Sequence, residues 1–277
     1  MNDHSFTQVT DIRPVGHVDS RCGKVEDMPL GGLQAMIRLA PDFQPALLRI
    51  SEHSHIWVLT WFHQADRSVL RVRPSKVNPD LPEYGIFAIR CSSRPNPIAL
   101  TLVTLDKVDG CDLYVTGLDA VDGTPVLDIK PYYGDDIVFS PLTPHIPARD
   151  LTARAANLRK LALRHHGEAC LGLELGVRIA LLAEEHFGQL HSPALTVAVE
   201  GDPCLADVLQ GLTRARLANP PRFSYMASPG AGSVMWAQNG RTLRIDIRPD
   251  VDLALARSAS PAELFRLGAE TAPGGER

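Results

Sequence analysis

The sequence predicts a mainly β domain over residues 1–145 and an α+β domain over 150–252. A short helix and a flexible tail follow over 253–277. Three observations carry this. Short apolar runs broken by Asp-Gly pairs fill the first half, as strands joined by tight turns do. Prolines and polar residues then cluster in "SPLTPHIPARD", 140–150, the composition of a domain boundary. Beyond it, apolar residues recur at helical rather than alternate spacing.

In chain order, "HIWVLTWFH" (55–63) is almost continuously apolar and aromatic, the pattern of a strand buried on both faces. "YGIFAIR" (84–90), "ALTLVTLDKVDG" (99–110) and "DLYVTGLDA" (112–120) also predict strands. Asp109-Gly110 and Asp122-Gly123 supply hairpin-turn chemistry, because glycine accepts positive φ. A small barrel or sandwich fits these strands. Further on, Leu151, Ala155, Leu158 and Ala162 mark a helix that Asp150 or Thr152 caps. "LGLELGVRIALLAEEHFG" (171–188) is a second helix, ended by Gly188. "ALTVAVEG" (194–201) and "RTLRIDIRP" (241–249) alternate like strands, and "CLADVLQGLTRARL" (204–217) is helical.

Of the 277 residues, 44% are hydrophobic and 22% charged, the make-up of a globular chain. A net charge of −4 excludes the overall basic signature of a non-specific nucleic-acid binder. RNA would have to be steered by a local patch. Arg67, Arg71, Arg73 and Lys76 form one, and Arg154, Arg159, Lys160 and Arg164 on the first helix another. No run reaches transmembrane length, and "MNDHSFTQVTDIRP" holds no signal-like apolar core. Five scattered cysteines argue for a reducing compartment rather than a disulfide framework. The expectation is a cytoplasmic protein with no membrane and no DNA partner.

"RCSSRPNPIAL" (90–100) makes a poor helix and a poor strand, since each proline fixes φ and removes a donor. Placed between strands, it is a stiff, cationic loop suited to binding, because a rigid loop loses little entropy when a ligand arrives. "GLDAVDGTPVLDIKPY" (117–132) then gathers Asp119, Asp122 and Asp128, with Lys130 and Tyr132 close behind. Carboxylates there suit a cationic ligand, and the arginines an anionic one. No G-x-G-x-x-G follows a strand in this half, so it carries no dinucleotide-binding fingerprint.

These two stretches, with "SHIWVLTWFH" upstream, resemble the paired signature of the TsaA/TrmO family over roughly residues 12–140. The resemblance implies a small β-barrel that binds S-adenosylmethionine, is usually a homodimer, and methylates the exocyclic amine of threonylcarbamoyladenosine beside the anticodon of certain tRNAs. The implied cofactor contacts are Pro29, Phe62, His63 and Arg90, then Pro95, Asn96, Pro97, Ile98 and Leu100 of the proline loop. Leu118, Asp119, Asp122, Gly123, Thr124 and Pro125 complete them. Asp128 and Tyr132 are candidates for the base that a weakly nucleophilic carbamoylated amine needs. Lys130 or Arg94 would neutralise the substrate's carboxylate. Where many bacterial members carry Pro-Arg-Gln, this chain reads "EDMPLGGL", so only Pro29 matches.

"HHGEACLGLELGVRIALLAEEHFG" (165–188) followed by "EGDPCLADVLQGLT" (200–213) resembles the FmdE family. Its HGHxCPG signature is eroded here: Glu168 replaces the second histidine and Leu171 the proline. His166, Cys170 and Cys204, with Asp207 as a fourth, are the candidate metal donors. No resident metal is expected, because a structural zinc usually needs four ligands.

The expected function is an S-adenosylmethionine-dependent tRNA N-methyltransferase. Two alternatives stand beside it. In one, the same barrel methylates a small metabolite that the FmdE-like domain presents, with or without a metal. In the other, the chain is a non-catalytic S-adenosylmethionine-binding module.

Overall fold

The computed structural model describes residues 12–268. Among these the chain forms two compact units. One runs up to Arg73 and continues over Pro82–Ile137. The other takes Pro74–Leu81 and everything from Val138 onward. The tail expected to be flexible lies, from residue 269, outside the described residues.

The first unit contains β1 (Gly16–Asp19), β2 (Leu33–Leu39), β3 (His55–Trp61), β4 (Arg71–Val72), β5 (Tyr84–Gly85), β6 (Ile98–Asp109), β7 (Asp112–Leu118) and β8 (Pro125–Pro131). Six of them close a barrel in the order β1-β2-β7-β6-β3-β8, and every neighbouring pair is antiparallel. Closure leaves no strand edge unpaired. Side chains alternate along each strand, so Val18, Ile37, Ile56, Val58, Val103, Leu113, Val115 and Val126 point inward and pack as the barrel core.

Three expectations need correction here. Only the inner face of β3 is buried: Ile56, Val58 and Thr60 alternate with half-exposed Trp57, Leu59 and Trp61. The aromatic outer residues, not a second buried layer, make the run look uniformly apolar. Residues 84–90 are not a barrel strand. Tyr84–Gly85 pairs briefly with β4, and Ile86–Ala88 then turns as a 3-10 helix. Its carbonyls are claimed by a side chain instead of a ladder: Arg94 donates to Ile86 O at 2.7 Å and Ile89 O at 3.0 Å. Asp109-Gly110 does join the adjacent strands β6 and β7, but Asp122-Gly123 does not make a hairpin. β7 and β8 are not neighbours, and the turn crosses to bond β1 through Gly123 N–H to Val18 O at 2.8 Å.

The second unit contains α1 (Leu151–His166), α2 (Leu171–Phe187), β9 (Thr196–Gly201), α3 (Pro203–Thr213), β10 (Phe223–Ala227), β11 (Ser233–Gln238), β12 (Arg241–Ile247), α4 (Leu253–Ser258), α5 (Pro261–Leu264) and β13 (Phe265–Gly268). The sheet order is β10-β9-β11-β12-β13, parallel only between β10 and β9. Val197, Val199, Val234, Trp236, Leu243 and Ile245 from the sheet share one core with Leu173, Ile179, Leu205, Val208 and Leu209 from the helices. This is the α+β layer expected from the sequence. Asp150, not Thr152, caps α1, accepting from Ala153 N–H at 2.7 Å. Gly188, at φ +79°, ends α2.

Candidate functional site

Because strand direction alternates around the barrel, one rim collects the C-terminal ends of β1, β7 and β3 and the starts of β2, β6 and β8. That rim is where the implied cofactor residues fall. Phe62 and His63 leave β3, whose last residue, Trp61, pairs with Ile98 at the start of β6. Phe62 N–H donates to Pro97 O at 2.8 Å, tying the aromatic strand to the proline loop. On the other side of β3, Thr60 pairs with Val126, so Thr124 and Pro125 enter the same rim. Leu33 pairs with Leu118, which brings in the end of β7 and the Pro29 turn before β2. Residues from four separate stretches of sequence thus converge.

Local chemistry holds these loops. Cys22, Met28 and Val121 form a small buried cluster backed by Leu33, pinning the β1–β2 and β7–β8 loops together. Asp122 Oδ1 accepts from Ser20 N–H at 3.0 Å, and Asp122 N–H donates to Cys22 O at 2.7 Å. Thr124, fully buried, donates its hydroxyl to Val121 O. Gly123 sits at φ +71°, a conformation other residues adopt only with strain. Arg67 Nε donates to Pro95 O at 2.8 Å while its guanidinium lies 5.5 Å from the Trp61 ring centre. Arg90, His63, Asn96, Asp119 and Asp122 are exposed.

Two buried polar atoms at this rim, Thr60 Oγ1 and Arg94 Nε, have no hydrogen-bond partner among the described residues. Such atoms normally find one. Sequence reading passed over Thr60; its inward place in the β3 alternation was the available signal.

The candidate catalytic residues are not all brought together. Arg94 is part of the loop's own scaffold, its Nη2 donating to Ile86 O and Ile89 O while Nε stays unpartnered among the described residues. Asp128, Lys130 and Tyr132 run down β8 away from the rim. Asp128 pairs with Leu59, Lys130 with Trp57, and Tyr132 N–H reaches His55 O at the far end of β3. At about 3.3 Å per residue, Asp128 lies ~10 Å along the strand from Pro125 and Tyr132 ~23 Å. Lys130 Nζ and Asp128 Oδ2 are 2.7 Å apart and form an exposed ion pair. Leu100 lies two residues into β6, opposite Leu59.

The basic patches are also reduced. Arg154 is held in a largely buried pair with Glu184 at 2.8 Å, and Arg159 pairs with Glu174 at 2.9 Å. Of that set Lys160 and Arg164 are exposed, with no such pair among the described residues.

In the second unit, donor atoms of His166, Cys170 and Cys204 lie within 4.8 Å of one another. The end of α1, the start of α2 and the start of α3 meet there. Gly172 allows it, since a Cβ would stand 2.7 Å from Cys204 Cβ. Asp207, the candidate fourth donor, bonds both histidines instead: His166 Nδ1 at 2.7 Å and His165 Nε2 at 3.2 Å. Burial, then Asp202 and Cys170, push the Cys204 thiol up to about 11.

The family model described as "tRNA-methyltransferase O N-terminal domain" matches residues 25–135, and that for "FmdE, Molybdenum formylmethanofuran dehydrogenase operon" matches 165–266. A Methanothermobacter thermautotrophicus protein named "Probable S-adenosyl-L-methionine-binding protein" is 44% identical over 128 residues, 45% of this chain and 90% of that one. The chain belongs to the TrmO family. A relative of the same name in Archaeoglobus fulgidus is 36% identical over 190 residues, 66% of this chain. The chain spans only 51% of that relative's length. The Mus musculus "tRNA (adenine(37)-N6)-methyltransferase" is 44% identical over 92 residues, 32% of this chain and 21% of that one. Among the described residues no helix is long and apolar enough to cross a membrane.

Proposed function

We propose that this TrmO-family chain is an S-adenosylmethionine-dependent N-methyltransferase acting on the exocyclic amine of threonylcarbamoyladenosine in a tRNA anticodon loop. The observation that carries this reading is the convergence of the aromatic strand end, the proline loop and the Asp-Gly-Thr-Pro turn on one barrel rim. Names of relatives that bind this cofactor or methylate tRNA support it.

The residues present fit the cofactor. The rim offers an aromatic ring at Phe62, exposed carboxylates at Asp119 and Asp122, an exposed cation at Arg90, and the two unsatisfied polar atoms of Thr60 and Arg94. When bound, S-adenosylmethionine supplies an electrophilic methyl group on a positively charged sulfur. Asp119 and Asp122 favour a cation at the rim by Coulomb attraction, and Arg90 favours a carboxylate. The prolines at 95 and 97 and the buried Cys22–Met28–Val121 cluster hold these groups in place, so little conformational entropy is lost on binding. Alignment of reacting atoms is the main contribution such a rim makes to group transfer. Asp128 is the nearest candidate along β8 for accepting the amine proton. Lys130, at its side, suits the substrate's carboxylate.

The test is incubation of the full chain with S-adenosylmethionine and tRNA carrying threonylcarbamoyladenosine, followed by nucleoside mass analysis. One added methyl on that nucleoside is the expected result. Cofactor binding by calorimetry without RNA methylation would remove the substrate assignment, and no cofactor heat at millimolar concentration would remove the reading entirely.

A further inference from the structure

The second unit holds a connected set of side chains that the barrel's chemistry does not use. Cys170 Sγ lies 3.3 Å from His166 Nε2, and His166 Nδ1 lies 2.7 Å from Asp207 Oδ2. With Asp207 accepting at Nδ1–H, the Nε2 lone pair faces the thiol. This is a nucleophile, a base within reach of it, and a third group orienting the base. Asp207 is itself fixed, because His165 Nε2 engages its other oxygen at 3.2 Å. Room for His165 depends on Gly211, where any Cβ would collide with the imidazole ring.

Cys170 also caps α2, accepting from Leu173 N–H at 3.4 Å. A second thiol, Cys204, has its sulfur within 4.8 Å of the first. The backbones around the two approach closely at Gly172, where a Cβ would meet Cys204 Cβ and Leu205 N at 2.7 and 2.8 Å. Linking them means closing the sulfurs from within 4.8 Å to the ~2.05 Å of a disulfide, a movement of side chains on adjoining helix starts. Neither cysteine is sealed off; both are partly exposed. An open groove of about 450 Å³, lined by Asp202, Pro203, Tyr225 and Ser228, begins at the residues just before Cys204.

We propose that Cys170 and Cys204 form a thiol–disulfide exchange site, with His166 as base and Asp207 as the residue positioning it, acting on small or peptide disulfides. Cys170 gives its proton to His166 and attacks one sulfur of a disulfide RS–SR. A Cys170–SR bond forms, the RS–SR bond breaks, and the leaving RS⁻ takes the proton from His166. Cys204, losing its proton to solvent, attacks the Cys170 sulfur and releases the second RS⁻, which is protonated in turn. The two protein thiols are oxidised to one disulfide and RS–SR is reduced to two RSH. This assignment is independent of the barrel's reaction.

The test uses the full chain and oxidised glutathione, read by mass spectrometry of its peptides. The expected product is a Cys170–Cys204 link with loss of two hydrogens. Cys204→Ser should accumulate glutathione on Cys170, and Cys170→Ser should form no linked product. His166→Gln should slow attack by on the order of 10²-fold while leaving Cys91 reactivity unchanged. Because the wild-type link needs no variant, a misfolded mutant does not blunt the test. Absence of that link at glutathione equilibrium overturns the proposal, as does stoichiometric zinc held by Cys170 and Cys204 in the isolated protein.

Discussion

Arg94 and Arg90 sit four positions apart in one cationic loop, yet the fold uses them oppositely. Arg94 is turned inward to hold two carbonyls of the 3-10 turn, whereas Arg90 is exposed. Arg94→Ala should therefore lower barrel stability by about 1.5–3 kcal/mol, the value of hydrogen bonds to a charged group, visible as a lower thermal midpoint. Arg90→Ala should leave that midpoint in place and weaken S-adenosylmethionine binding by about 1.5–3 kcal/mol in calorimetry. Wild-type affinity in that variant would mean the cation serves elsewhere. Glu174 offers a pH test. Its burial pushes the carboxyl upward, but Arg159 and Arg257 outweigh this and hold it below its ordinary value of 4.5. A carboxyl with a depressed folded value binds fewer protons folded than unfolded in this range. Its contribution is full above the ordinary value and is lost as pH falls through the depressed one. Wild-type stability should thus drop below pH 4.5 more steeply than that of Glu174→Gln, measured by urea unfolding across that range.

The helices were legible because their apolar period is strong: α2 is buried on nearly every side, and α1 buries Leu158 and Ala162 of its four spaced apolar positions, while Leu151 at its start is exposed. Strands were less so. β10 and β11 lie beyond the "TRARLANPP" stretch in short runs that carry Ser, Met and Gln, and their pairing to β9 is non-local. β8 is bounded by Pro125 and Pro131, which hides a strand behind residues that usually mark turns. Close packing of α2 on α3 rests on glycine. At Gly176 a Cβ would meet Val208 Cγ1 at 2.5 Å and Cβ at 3.1 Å, within a fully packed core. Gly176→Ala should cost about 1–3 kcal/mol by overpacking, and Val208→Ala in the same chain should recover part of it. Chemical denaturation of the single and double variants measures both. Additive losses would show that the two positions do not share the contact.

Each unit has a core of its own, and the proposed cofactor rim belongs to the barrel. Saturating S-adenosylmethionine should therefore raise the unfolding transition that Ile56→Ala lowers, and not the one that Leu209→Ala lowers. At one hundred times Kd the linkage is about 2.7 kcal/mol, well within reach of calorimetry. An equal rise in both transitions would place the ligand outside the barrel. Sequence alone determined the two-part architecture, the α+β character of the second half and the stretches proposed to carry the cofactor chemistry, because period, turn residues and rare motifs are local properties of the chain. It did not separate Arg94 from Arg90, nor set Tyr132 apart from Asp128. Those distinctions come from strand register: adjacent letters in β8 run down the barrel wall, while Phe62, Pro97 and Pro125, dozens of residues apart, meet at one rim. Likewise the Cys170–His166–Asp207 relay exists only because α1, α2 and α3 converge at glycines small enough to let them touch.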